Sequence, residues 1–260
     1  MAFDDLGKRS EALNRMTTQV KNTGSVSFTS DELSKMRINV KMVQFSGTRK
    51  ETTLDPCYFD PYPLDHLGYP DPEMVEDLRY PNYKPDEDRS PLDRARPLSY
   101  YLINYLQEYE GQKRDTTAFR DEGWRCVPDD RWRFIWEYEP SQWYVNLVCS
   151  HADVKAGKSH LKSVLISNVD GDDGYLFRGE ILSLLKMING RKITGCERQP
   201  VLLFSGMGPQ HLRLIQAHWD GQELVIQKSK LYDLRHKDDK LLDFLAAWFS
   251  SRPVGDLSLR

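Results

Sequence analysis

The string Ala152-Asp153-Val154-Lys155-Ala156-Gly157-Lys158-Ser159 has the spacing of a phosphate-binding loop, with alanine where the first glycine belongs. Gly157, Lys158 and Ser159 are therefore the nucleotide-binding candidates: a lysine beside a glycine-opened helix start suits a phosphate, provided a strand precedes and a helix follows. The intervening residues lack the small character that lets backbone amides converge on phosphate. A lysine-bearing turn is the simpler reading. Asn168-Val169-Asp170-Gly171-Asp172-Asp173-Gly174 has the acidic oxygens of a calcium loop, but its sixth position is Asp173 and Glu180 falls one residue beyond the twelfth. No metal site is assigned there, because acidic residues also suit the start of the helix that follows. His211 and His218 are the acid–base candidates. Seven residues apart on one strand, they face opposite sides unless the adjacent apolar pair Leu214-Ile215 marks a bulge. Cys57, Cys126, Cys149 and Cys196 include no close pair in sequence, so four thiols are expected, with Cys149 as core filling.

The elements that must position these groups are clearest around residues 200–233. Val201 to Phe204 is the continuous apolar run of a strand covered on both faces, and Met207-Gly208-Pro209-Gln210 closes it with turn residues. His211 to Trp219 alternates as a second strand. Asp220-Gly221 sits at the centre of a two-residue hairpin, and Glu223 to Ser229 returns. A helix from Tyr175 to Ile188 precedes this unit, with Leu176, Ile181, Leu184, Leu185 and Ile188 as its buried stripe. A final helix capped by Asp238 or Asp239 follows and ends before Pro253.

Upstream, Leu98, Tyr101, Leu102, Tyr105, Leu106 and Tyr109 recur at helical spacing after Pro97. Trp132, Phe134, Trp136 and Tyr138 then alternate as a strand that turns at Pro140-Ser141 and pairs with Trp143 to Cys149. Such an aromatic face serves either as core or as a ligand platform, and period two favours core. Thr29 and Glu32 form a capping box before Leu33, Met36, Val40 and Val43, which predicts an amphipathic helix reaching Gly47. Residues 1–28 are too sparsely apolar to predict a core helix. Residues 55–97 hold nine of the 14 prolines amid acidic and aromatic residues, which predicts an arm with little regular structure, part of it lying across the domain surface.

The expected organisation is an N-terminal helical segment (1–54), a proline-rich, aromatic and acidic arm (55–96) and an α+β core (97–260), with a mixed or antiparallel sheet and a central hairpin flanked by helices. Helix, buried strand, hairpin and final helix loosely resemble the core of restriction-endonuclease-like nucleases. That resemblance implies Glu180, Asp220, Glu223 and Lys228 as metal and catalytic candidates. The chain departs from the nuclease pattern, because Val225 stands two residues after Glu223 where a lysine belongs.

Pro-Val-Leu-Leu-Phe-Ser, Met-Gly-Pro-Gln-His, Asp-Gly and Lys-Leu-Tyr-Asp together resemble a family of uncharacterised proteins of filamentous ascomycete fungi. The resemblance implies a fungal source and a lean towards secondary metabolism, and it supplies no activity, cofactor or catalytic residue.

At 260 residues, with 39% hydrophobic and 11% aromatic residues, the chain can bury a real core. A net charge of −3 gives non-specific nucleic-acid binding no support. No apolar run reaches the roughly 18 residues of a membrane span, and the start, Met1-Ala2-Phe3-Asp4-Asp5, lacks the order of a signal peptide. An intracellular protein follows, cytoplasmic or nuclear. Its expected role is a non-enzymatic module that binds a protein partner through residues 29–46 and the arm. The alternative is an enzyme or nucleic-acid-binding protein with a degenerate nuclease-like core.

Overall fold

The computed structural model describes residues 2–87, 89–113, 115–127, 135–153, 157–190 and 196–259. In chain order these form α1 (Ala2–Asn22), β1 (Ser27–Phe28), α2 (Ser30–Ser34), β2 (Ile38–Met42), β3 (Phe59–Asp60), α3 (Pro72–Val75), α4 (Pro91–Tyr105), α5 (Ala118–Asp121), β4 (Trp124–Cys126) and β5 (Trp136–Glu137). They continue through β6 (Trp143–His151), β7 (Leu161–Asp170), β8 (Leu176–Phe177), α6 (Arg178–Gly190), β9 (Val201–Gly208), β10 (His211–Trp219), β11 (Leu224–Lys228), β12 (Tyr232–Asp233), α7 (Asp239–Phe249) and β13 (Arg252–Pro253).

The fold is α+β, built on one mixed sheet of order β2-β11-β10-β9-β7-β6-β4, with β12 added to β10 and β5 to β6. β6 and β7 form an antiparallel pair, α6 crosses over to set β9 parallel to β7, and β9, β10 and β11 form an antiparallel meander. Every residue of β9 is buried. Helices cover both faces of the sheet there, which is why its sequence reads as unbroken apolar residues. Val201, Leu203, Ile215 and Ala217 face a core shared with α1 and α6. Leu202, Phe204, Leu212 and Leu214 face one shared with α4, α7 and the arm. Alternation along each strand sorts these side chains between the two layers.

Several elements differ from the sequence expectation, each for a non-local reason. α1 is a 21-residue helix whose sparse apolar residues Leu6, Leu13, Met16 and Val20 are all buried, the last three in the core shared with α6. Packing of a narrow stripe supplies what intrinsic pattern did not. The capping box at Thr29 and Glu32 forms, yet α2 stops after five residues, Arg37 takes a φ of 60°, and Ile38–Met42 becomes an edge strand parallel to β11. The amphipathic helix over 29–46 is therefore absent. α4 begins at Pro91 behind a Ser90 cap, six residues before Pro97, and carries Pro97 within it. At the hairpin, Asp220 N–H donates to the Glu223 carbonyl, so the central pair is Gly221-Gln222 and not Asp220-Gly221; Gly221 alone has a positive φ, 110°. That pattern fits a II′ turn. β10 pairs with β9 in unbroken register through Leu214 and Ile215, so no bulge reorients the histidines.

The arm is docked on the domain at several points. Tyr58, Phe59 and Tyr62 are buried, β3 pairs with β13, and the Tyr80 hydroxyl donates to the Leu234 carbonyl at 2.5 Å. Gln216 on β10 and Gln227 on β11 accept from the backbone N–H groups of Tyr58 and Asp55 at 2.7 and 2.8 Å. No helix among the described residues is long and apolar enough to cross a membrane.

Candidate functional site

Two of the four nuclease-like candidates come together, in a buried network. Arg213 on β10 donates from Nε and Nη2 to the two carboxylate oxygens of Glu180 at 2.7 and 2.6 Å, and Phe177 N–H donates to one of them at 2.8 Å. Both side chains are fully buried. Arg213 also reaches the carbonyls of Asp172 and Tyr175, while Lys228 on β11 donates to the Asp173 carbonyl at 2.6 Å. Burial, then the neighbouring Arg213 charge, brings the Lys228 amine down to about 8. The arrangement ties the 171–175 loop to the sheet and to the first turn of α6. A metal-binding carboxylate needs open oxygens, and those of Glu180 are occupied by Arg213.

Asp220 and Glu223 lie elsewhere. Asp220 stands seven residues beyond Arg213, roughly 23 Å along the strand direction. Its carboxylate accepts from the N–H groups of Gln222 and Glu223 at 2.8 and 2.7 Å, which makes it a turn residue. In the 168–174 loop, Asn168 accepts from Leu92 N–H, Asp172 from Gly174 N–H and Asp173 from Leu231 N–H. Among the described residues, no group of three or more His, Cys, Asp or Glu could hold a metal ion.

His211 is half-buried at the start of β10. His218 is buried on the face opposite His211, 4.9 Å from the Tyr58 ring, and burial followed by the Arg198 charge brings it down to about 4. Gly157, Lys158 and Ser159 belong to the connection between β6 and β7, so a strand and not a helix follows them. Val154, Lys155 and Ala156 lie outside the described residues. Lys158 Nζ sits 4.0 Å from Asp153, and Ser159 is buried with its hydroxyl hydrogen-bonded by Gln199. Among the described residues of this connection there is no helix N-terminus to aim amides at a phosphate.

A groove sits instead at the outer sheet edge, where β5 joins β6. α1 and α6 form one wall and β5 with Trp143 the other, around a cavity of about 420 Å³. Ile135, Leu182 and Leu185 give it an apolar lining, and Lys21, Lys186, Asn14 and Asn189 supply polar groups. Trp136 and Tyr138 are 47% and 62% exposed, and their rings meet edge-on at 4.9 Å. Trp143 is buried, yet its indole N–H has no acceptor among the described residues.

Local chemistry fixes this wall. Glu137 accepts from Arg178 Nε at 2.8 Å and lies 3.6 Å from Lys21, while an Arg178 Nη1 donor reaches the Val20 carbonyl at 2.9 Å. β5 is thereby clamped to both helices. Gly179 allows α6 to approach the indole, since a Cβ there would lie 2.6 Å from Trp143 Cγ. The period-two aromatics signalled this strand in the sequence. What sequence reasoning missed is that Trp136 and Tyr138 face outward; Trp132 and Phe134 lie outside the described residues. No protein-family model, curated protein or solved structure matches this chain.

Proposed function

We propose that the chain is an intracellular, non-enzymatic protein-interaction module that binds its partner through the Trp136–Tyr138 groove. The observation that carries this reading is an exposed aromatic pair beside a cavity whose wall is clamped to both helices. Exposed tryptophan and tyrosine beside a pocket have the composition of interaction hot spots, because they bury large area at small entropic cost. A volume of about 420 Å³ takes one or two apolar anchor side chains. Lys186 at the rim suits a partner carboxylate. The groove takes the place of residues 29–46, whose amphipathic helix does not form, and of the arm, whose Tyr58, Phe59 and Tyr62 are buried in the domain.

The test is affinity capture with the wild-type chain and with Trp136→Ala/Tyr138→Ala, followed by direct binding of each purified candidate partner. Loss of a hot-spot aromatic costs about 2 kcal/mol or more, roughly 30-fold in affinity. Partners that bind both proteins equally would overturn the assignment of the surface. Concentration-dependent sedimentation of the chain alone, abolished by the same substitutions, would identify the partner as a second copy.

A further inference from the structure

Cys126 and Cys149 are separated by 23 residues in sequence, but the antiparallel β4–β6 pairing sets them directly opposite each other. Val127 N–H donates to the Val148 carbonyl and Ala152 N–H to the Gly123 carbonyl, so hydrogen-bonded pairs flank this position and the cysteines occupy a non-hydrogen-bonded one. That is where cross-strand side chains come closest. The two sulfurs are 3.9 Å apart in the thiol form. One is exposed on an edge strand and the other is fully buried. The next residue along the same cross-strand row is Lys162, the register partner of Cys149 on β7. Its buried Nζ donates to the carbonyls of Phe249 and Ser251 at 2.7 and 2.9 Å and lies 3.8 Å from the Trp124 ring centre. An opening of about 440 Å³, lined by Gln107, Phe119, Arg120 and Arg125 among others, leads to Cys126.

We propose that Cys126 and Cys149 form a peroxide-reactive thiol pair: a hydroperoxide oxidises the exposed Cys126, and the buried Cys149 resolves it as a cross-strand disulfide. In the first step the Cys126 sulfur attacks one peroxide oxygen. The S–O bond forms, the O–O bond breaks, and the departing alkoxide or hydroxide takes up the proton that the thiol released. Cys126 is now a sulfenic acid, oxidised by two electrons, and the peroxide has been reduced to an alcohol or water. In the second step the Cys149 sulfur attacks the Cys126 sulfur, the S–O bond breaks, and the leaving hydroxide joins the Cys149 proton as water. Two thiols and one hydroperoxide give one disulfide, one alcohol and one water; with hydrogen peroxide the products are a disulfide and two waters. A dithiol reductant reverses the oxidation by thiol–disulfide exchange.

The surroundings suit these roles. The Cys149 thiol donates towards the Cys126 sulfur and the Arg120 charge adds to it, which together bring Cys126 down to about 7 against its partial burial. Burial pushes the Cys149 thiol well up, so it waits as a thiol until Cys126 is oxidised. The disulfide would pin edge strand β4 to β6. Through Trp124, whose indole N–H donates to the Ser251 carbonyl at 2.8 Å, the end of α7 is tied to the same edge.

The full-length protein is treated with stoichiometric hydrogen peroxide, free thiols are blocked, and the intact mass and peptide map are read without reduction. The expected product has lost two hydrogen atoms, has one peptide pair joined through Cys126 and Cys149, retains Cys57 and Cys196 as alkylated thiols, and returns to the starting mass with dithiothreitol. At neutral pH, Cys126 is expected to alkylate about tenfold or more faster than Cys57. Cys149→Ala should stop at Cys126 sulfenic acid, trapped by a cyclic dione, and Cys126→Ser should leave Cys149 reduced. Should Cys149→Ala fail to fold, the wild-type peptide map decides alone. A disulfide to any other cysteine, or a Cys126 that reacts no faster than Cys57, overturns the proposal.

Discussion

Removing the charge of Glu180 while keeping its shape, as Glu180→Gln, leaves the Arg213 guanidinium buried without a counter-charge, with one amide oxygen and the Asp172 and Tyr175 carbonyls as acceptors. With charge centres about 4 Å apart and an effective dielectric near 20, the native pair attracts by about 4 kcal/mol, which offsets the several kcal/mol needed to desolvate each ion. The intact pair is therefore worth little net. Breaking it from one side costs about 3–5 kcal/mol, because the desolvation of the remaining charge is no longer compensated. For a chain of this size each kcal/mol corresponds to about 2–4 °C, so the expected loss in Tm is about 6–20 °C by circular dichroism. Replacing both members, as Glu180→Leu/Arg213→Met, should cost at least about 2 kcal/mol less than the sum of the single changes. A Glu180→Gln protein that melts within about 3 °C of wild type would refute the structural role argued for this pair.

The other predictions concern pH and the groove wall. Burial brings His160 down to about 3 and His218 to about 4, below the ordinary value of 6.5, so the unfolded chain binds protons that the folded chain excludes. Stability from these residues is complete above pH 6.5 and falls as pH drops through 6.5 towards 4 and 3. At pH 5 each accounts for about 2 kcal/mol, and His218→Phe should flatten the Tm profile between pH 7.5 and 5; an unchanged slope contradicts the assignment. Gly179→Ala would drive a methyl group into the Trp143 indole and should cost about 1–3 kcal/mol by urea unfolding while shifting Trp143 out of the groove wall. A stability and tryptophan emission equal to wild type would show that this close contact does not constrain the wall.

How much could be read from the sequence depended on whether a feature's partners were near in the chain. β9 declared itself because burial on both faces leaves an apolar run, and α7 because Asp238 caps it and its stripe is continuous. Leu33, Met36, Val40 and Val43 fit helical spacing, yet residues 38–42 pair with β11 almost 190 positions later, and no local pattern encodes that choice. α1 is the converse case, a helix supported by a narrow stripe that only its docking on α6 makes sufficient. The candidate site follows the same division. Glu180 and Lys228 were visible as acidic and basic residues, but Arg213, which takes up the carboxylate, lies on a strand that read simply as alternating. Trp136 and Tyr138 were visible as a strand face, while their exposure depends on β5 lying at the outer edge of the sheet. The Cys126–Cys149 pair needed the β4–β6 register.

The central claim is that the Trp136–Tyr138 groove is the contact surface, and calorimetric titration of a purified partner against wild-type and Trp136→Ala/Tyr138→Ala chains of equal Tm tests it most directly. The account predicts a loss of about 30-fold or more in affinity with the fold intact. Equal affinity for both chains would contradict it.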